Sequence, residues 1–206
     1  TLEPQTIWGS RSGDYENHAI GQAADDDAYI YTIASGQVNT IEWMMPARLL
    51  VIGTVGGEFI MSGTTESDAI TPTNVRVVPQ TNYGSKAIRP ILSANAILFV
   101  QRSGRKVREL IYNFDNDAYV ASDLTLLSEH ITRGGLSDIS YQQEPNQLIW
   151  TIRGDGTLAC LTYEKTEEVI GWHRHSIAGS GVVESIATIP HPDGDRYRLW
   201  MSVRRT

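Results

Sequence analysis

The sequence contains a single cysteine, Cys160, among its 206 residues, so no disulfide can form within the chain. Cys160 lies in an alternating apolar run, which predicts a small buried side chain and not a nucleophile. No stretch approaches the ~20 apolar residues that a membrane-spanning helix needs. These absences indicate a fold that is held by its own core.

Positive charge is also scarce, with 17 Lys and Arg against 24 Asp and Glu and a net charge of −7. Non-specific nucleic-acid binding requires a basic face, so this balance disfavours it, and no sequence-specific nucleic-acid binding is predicted. A local basic group surrounds one glycine turn and predicts a solvated hairpin tip. Its members are Arg102, Arg105, Lys106 and Arg108.

Helical periodicity is scarce as well, and segments rich in Val, Ile, Leu, Tyr and Trp dominate. Four segments with the same order of strands and turns begin at Ile41, Ile88, Ile139 and Ile186, at spacings of 47, 51 and 47 residues. In the first three, an apolar strand is followed by a glycine turn and a second strand. The recurrence predicts repeat units near 41–84, 88–131, 139–177 and 186–206, of which the last is incomplete.

The repeat also predicts individual elements. Apolar strands are expected at Leu49–Thr54, Ile97–Gln101, Leu148–Ile152 and Leu199–Val203, and further strands at Val75–Gln80 and Ile170–Ile177. In the second unit, Asp123–His130 is expected to form one helical turn, capped by Ser122 or Asp123. Thr6–Gly13 is expected to be a strand that closes a ring or belongs to a preceding blade. Asp155, before Gly156, is expected to be a turn residue of a type that tolerates left-handed geometry.

Four strands per ~50 residues is the pattern of a β-propeller blade, a twisted sheet that packs on both faces. The inner strands at 49–52 and 96–100 are apolar on both faces, as this packing requires. The predicted fold is therefore all-β with little helix: a β-propeller-like array of about four antiparallel blades in one domain over residues 1–206. It is either a small ring or a piece of a larger propeller. A β-sandwich is the main rival, but it does not predict the recurrence.

Two groups of side chains are candidate metal ligands. Asp25, Asp26 and Asp27 form a dense carboxylate run, but consecutive carboxylates point in different directions, which favours a solvated loop. His173 and His175 share one face of a predicted strand, and the sequence places no third ligand near them. Neither group predicts a bound metal, and no cofactor is predicted.

The chain offers four candidate acids for glycoside hydrolysis, which uses paired carboxylates: Glu42, Glu58, Glu109 and Asp155. They share no common position in the repeat, and no nucleophile elbow, phosphate loop or dinucleotide fingerprint occurs. We therefore predict no catalytic residue and no enzymatic activity. The aromatic residues Trp8, Trp43, Trp172 and Tyr83 either stack on sugar rings or belong to the core between blades.

The ordered set of stretches resembles a family of bacteriophage and prophage virion proteins found among the tail components of short-tailed phages. Its most specific parts are "VRELIYNFDNDAYVASDLT" and "LIWTIRGDGTLACLTYEK" followed by "GWHRH"; the set occupies 8–17, 53–63, 71–84, 97–131, 143–165 and 171–175. The resemblance implies a structural role in a tail hub, tube or nozzle. Its implied partners are other tail proteins and further copies of the chain, with DNA passing through the assembly. The implied location is the virion, after assembly in the bacterial cytoplasm. A carbohydrate-binding propeller is the alternative, and a glycosidase is a weaker one.

Overall fold

A computed structural model describes residues 3–36 and 38–205. Thr206, the last residue of the predicted fourth unit, lies outside the described residues. The chain divides into two compact units, Thr1–Ser85 and Lys86–Thr206, which are described separately. Their secondary structure is almost entirely antiparallel strand, so the all-β prediction is confirmed. Neither helical segment of the described residues has the length and apolar composition of a membrane span.

The first unit contains a strand pair and a four-stranded sheet. The pair joins β1 (Thr6–Gly9) to β2 (Tyr29–Thr32), a strand that the sequence pattern did not predict. The first sheet is an antiparallel meander in chain order. Its strands are β3 (Ile41–Pro46), β4 (Leu50–Thr54), β5 (Glu58–Ser62) and β6 (Arg76–Thr81). The core of this unit forms around Ile7, Ile33, Ile52, Phe59 and Met61.

The second unit contains two more four-stranded meanders and a final strand pair. The second sheet has β7 (Ile91–Ser93), β8 (Ala96–Val100), β9 (Val107–Asn113) and β10 (Ala118–Asp123). The third sheet has β11 (Leu136–Gln142), β12 (Leu148–Arg153), β13 (Leu158–Glu164) and β14 (Val169–His175). The final pair is β15 (Val182–Pro190) and β16 (Tyr197–Arg204). The sheets therefore recur at close to the predicted interval.

The third sheet is covered on both faces. On one face, Ile149 and Leu161 belong to a buried cluster with Leu98 and Val107 of the second sheet. On the other face, Ile152 and Leu158 pack with Val183 of β15. Within this unit, consecutive sheets thus stack face to face. This stacking explains why the inner strand β13 of the third sheet is apolar and mostly buried on both faces.

The predicted helical turn was placed too early. Ser122 and Asp123 belong to β10, and the α-helix α1 (Glu129–Thr132) follows Ser128, which makes no capping hydrogen bond through its side chain. Asp123 instead forms a turn, because its Oδ1 accepts from the backbone N–H and the hydroxyl of Thr125, at 2.9 and 2.5 Å. A 3-10 helix, Lys165–Glu167, was not predicted.

The hairpin turn at Asp155 takes its left-handed conformation at the following glycine. Gly156 has the positive φ, at +76°, and Asp155 does not. A Cβ on Gly156 would meet Cγ1 of Val182 at 2.5 Å, so this position also requires a residue that has no side chain. The turn itself lies where the sequence predicted it.

Candidate functional site

Two of the candidate acids are buried and engaged by neighbouring groups. Glu109, 6% exposed, accepts hydrogen bonds from the hydroxyl of Tyr163 and the ammonium of Lys165. Burial, reinforced by the hydrogen bond to Glu109, raises the pKa of Tyr163 well above its ordinary value. In the first unit, Glu58 is fully buried and accepts from the hydroxyls of Thr81 and Ser85. These contacts give both carboxylates a structural role.

The other two candidate acids lie in different settings. Glu42 is half-buried on β3. Asp155 accepts from the N–H and the hydroxyl of Thr157, at 3.0 and 2.6 Å, and pairs with Arg153 at 2.7 Å. Partial burial raises the pKa of Asp155, but these hydrogen bonds and the Arg153 charge outweigh it, so the pKa lies below its ordinary value. Asp155 therefore holds its hairpin turn as a carboxylate.

The carboxylate run is not uniformly solvated as predicted. Asp27 is only 8% exposed and accepts from the N–H of Ala24 at 3.0 Å, whereas Asp25 is exposed. Arg11 bridges the other two, lying 3.3 Å from Asp26 and 3.2 Å from Asp27. The run is a loop whose last carboxylate turns inward to organise the backbone.

The two strand histidines lie on one face, as predicted. Nδ1 of His173 and Nε2 of His175 are 2.7 Å apart, and the ring of His175 lies 4.9 Å from that of Trp150. Among the described residues, no third His, Cys or carboxylate joins them in a group able to hold a metal. Burial lowers the pKa of His173, and the charge of His175 lowers it further. The surroundings of His173 therefore favour its neutral form.

This contact should make stability fall in mild acid. Because the folded-state pKa of His173 lies below its ordinary value of 6.5, the stabilisation is present above pH 6.5 and is lost as pH falls through the lowered pKa. We expect His173→Gln to flatten the decrease in unfolding midpoint between pH 7 and pH 5, measured by denaturant titration. His18→Gln, at an exposed histidine, is the control. An unchanged slope in His173→Gln would contradict the assignment.

A group of three metal-ligating side chains occurs in the turn between β15 and β16. His191, Asp193 and Asp195 place ligand atoms within 4.8 Å of one another. Nδ1 of His191 lies 3.0 Å from Asp193 and 3.9 Å from Asp195, and Arg196 pairs with Asp195 at 3.1 Å. Each of the two carboxylates thus already has a nitrogen partner within the protein, from the imidazole or from Arg196.

The aromatic residues that were candidates for stacking on sugars differ in their exposure to solvent. Trp43 is 7% exposed and its ring lies against Gly53, so it belongs to the core. Trp172 packs against the buried cluster of the second and third sheets and donates through Nε1 to the carbonyl of Leu124 at 2.8 Å. Trp8 and Tyr83 are 48% and 39% exposed.

Cys160 is fully buried, as predicted. Burial raises the pKa of its thiol to about 12, so the nucleophilic thiolate is suppressed at neutral pH. A catalytic role for this cysteine has no support from its surroundings.

A polar cavity of about 500 Å³ lies in the second unit, between the tip of the β8–β9 hairpin and α1. This volume is within the range of ligand-binding sites, ~300–1,000 Å³. The hairpin contributes Gln101, Ser103, Arg105 and Lys106, and the helical segment contributes Glu129, His130, Thr132 and Arg133. We call this space the hairpin–helix cavity.

Hydrogen bonds hold the two walls of the hairpin–helix cavity together. Nε of Arg105 donates to the carbonyl oxygen of Arg133 at 3.0 Å, and the N–H of Leu136 donates to the carbonyl oxygen of Gly104 at 2.7 Å. Gly104 has a φ of +73°, which glycine adopts without steric cost. The cavity is therefore formed before any ligand arrives.

The cavity carries more positive than negative charge. Lys106 is neutralised, since its Nζ lies 2.7 Å from Asp123 and 3.2 Å from Glu129. Arg105 and Arg133 have no carboxylate within 4.0 Å in the part of the chain that the structure describes. Two unneutralised guanidinium groups thus face a preformed space in a chain whose net charge is −7.

Sequence reasoning found part of this site and missed the rest. The hairpin-tip cations were recognised, but Arg108 was wrongly placed among them. It is 8% exposed and donates to Gln101 at 2.8 Å and to the carbonyl of Ala121 at 2.7 Å. Strand alternation gave no signal for Arg108, because the first four residues of β9 are all buried. The helical wall was missed because two strands, β9 and β10, separate it from the hairpin tip in the sequence.

Comparison with known proteins gives no matching family model and no curated protein of significantly similar sequence. The function is therefore argued from the geometry above and from the sequence resemblance.

Proposed function

We propose that this chain is a structural component of a bacteriophage tail, built as a β-propeller-like array of blades. The observation that carries the proposal is the recurrence of four-stranded meanders, three within the described residues, followed by a two-stranded pair. The face-to-face stacking in the second unit is the packing that blades require. The resemblance of the sequence to tail proteins supplies the biological setting.

Exposed apolar side chains on the final strand pair support self-association or contact with other tail proteins. Ile189 of β15 and Trp200 of β16 lie on one face of the pair and are 49% and 58% exposed. Large exposed aromatic and aliphatic groups on one element are typical of interaction surfaces. In a tail, copies arranged about the axis would bury such a surface.

The tail assignment predicts that the protein is present in mature particles. We expect a labelled antibody against the chain to mark the tail in electron micrographs of purified virions from the phage or prophage that encodes it. Antibody first absorbed with the purified chain is the control and should leave no label. Particles without label, in a preparation whose other structural proteins are detected, would overturn the assignment.

Saccharide binding is a second candidate function, and the hairpin–helix cavity is the observation that favours it. The cavity has the size of a ligand site and is lined by hydroxyl, amide and guanidinium groups. Sugars are recognised by such hydrogen-bonding side chains. A tail protein with this site would combine a structural role with recognition of a host glycan.

A further inference from the structure

We propose that the hairpin–helix cavity binds a small hydroxylated carboxylate, of the size and chemistry of a uronic acid. This inference rests on the second candidate function, saccharide binding, and not on the tail role. It adds the class of sugar and the residues that recognise it.

The guanidinium groups select for an anion. Arg105 and Arg133 lie on opposite walls of the cavity, and the hydrogen bond from Arg105 to the Arg133 carbonyl keeps those walls adjacent. Neither side chain has a carboxylate partner among the described residues, whereas Lys106 in the same cavity has two. Guanidinium groups bind carboxylates through paired, charge-assisted hydrogen bonds. A carboxylate ligand supplies the partner that the protein does not.

A second, independent observation selects for a hydroxyl-bearing ligand. Thr132 lines the cavity and is only 1% exposed, and its Oγ1 has no hydrogen-bond partner within residues 3–36 and 38–205. Buried hydroxyls are nearly always paired, but this oxygen is enclosed, so the Thr132 side chain must rotate for its hydroxyl to reach a ligand in the cavity. Ser103 adds a further hydroxyl. The side-chain oxygen of Gln101 accepts from Arg108, so the amide nitrogen is its remaining hydrogen-bonding group.

The test is titration of the complete 206-residue chain with glucuronate, followed by calorimetry and by amide chemical shifts in NMR. Glucose is the matched neutral sugar, because it has a hydroxymethyl group where glucuronate has a carboxylate. Inorganic phosphate is the matched anion without a sugar ring. We expect glucuronate to bind more tightly than either and to shift the amide signals of residues 101–106 and 129–133.

Two variants assign the binding to named side chains. Arg133→Gln should weaken glucuronate binding about tenfold, because it removes a charged hydrogen-bonding partner. Thr132→Val keeps the side-chain volume and removes only the hydroxyl, so it should weaken binding about threefold without lowering the unfolding midpoint. Arg102→Gln is the control, since Arg102 is exposed on the same hairpin tip and does not line the cavity.

The outcomes separate this inference from the broader function. Glucose bound as tightly as glucuronate, with no effect of Arg133→Gln, would overturn the cavity assignment and leave saccharide binding in place. Phosphate bound as tightly as glucuronate, or no effect of Thr132→Val, would overturn the selection for a hydroxylated ligand. Binding of no sugar by the chain would overturn both the inference and the second candidate function.

Discussion

Replacing Leu161 with alanine is expected to lower the free energy of unfolding by about 3 kcal/mol. Leu161 is fully buried on the inner strand β13 and belongs to the cluster that joins the second and third sheets. The shorter side chain removes buried apolar surface and leaves a cavity between two sheets that cannot close on it. The measurement is urea unfolding followed by circular dichroism and tryptophan fluorescence.

Leu127→Ala is the matched control for this experiment. It deletes the same atoms from a side chain that is 93% exposed, so the free energy of unfolding should change by less than about 0.5 kcal/mol. If both variants had the same stability, the face-to-face packing of the second and third sheets would be wrong. That result would also remove the main structural support for blades.

Glu58→Ala is expected to destabilise the first unit by about 3 kcal/mol. The Glu58 carboxylate is fully buried at the start of β5 and accepts from the hydroxyls of Thr81 and Ser85, the latter at 2.8 Å. Without it, two hydroxyls lose their acceptor and a cavity remains. Thermal unfolding, with far-ultraviolet circular dichroism to verify the strand content, measures the effect.

Glu66→Ala supplies the comparison in the same unit. Glu66 pairs with Arg48 at 2.6 Å, but both side chains are about half exposed or more, so the loss should be below about 1 kcal/mol. An equal effect of the two substitutions would show that Glu58 is not a structural carboxylate. The catalytic reading of Glu58 would then need to be tested with a hydrolase assay.

The strand pattern was the most predictable part of the fold. The runs around Leu50, Ile97 and Leu148 form inner strands because apolar residues on both faces are stable only between two covered surfaces. The turns at Gly104 and Gly156 were placed correctly because a positive φ restricts residue choice strongly. The short strand β2 was missed, since alternation over four residues is too brief to distinguish from a loop.

The helical turn shows how tertiary contacts override local preference. Asp123 and Ser122 are residues that commonly cap helices, which made a start at that point reasonable. In the structure, Asp123 forms an ion pair at 2.7 Å with Lys106, which directly precedes the neighbouring strand β9, and its backbone pairs with Arg108 of that strand. The helix begins only after the chain has left that strand.

The candidate site, too, was predictable only in part from the sequence. The residue types that could act as acids, ligands or cations were all visible in the sequence, and so was the one-face arrangement of His173 and His175, because strand geometry fixes it. The sequence did not show which carboxylates already have hydrogen-bond partners within the protein. Glu109 meets Tyr163 and Lys165 across more than fifty residues of sequence, and only the packing of sheets creates that contact.

By itself, the sequence determined an all-β chain with a recurrence near fifty residues, because strand periodicity and glycine turns are local properties. Only the tertiary structure decided that Arg105, Arg133 and Thr132 line one cavity and that the enclosed hydroxyl of Thr132 has no hydrogen-bond partner among the described residues. These properties depend on bringing two distant segments together at atomic distance. No local pattern in the order of the residues predicts that distance.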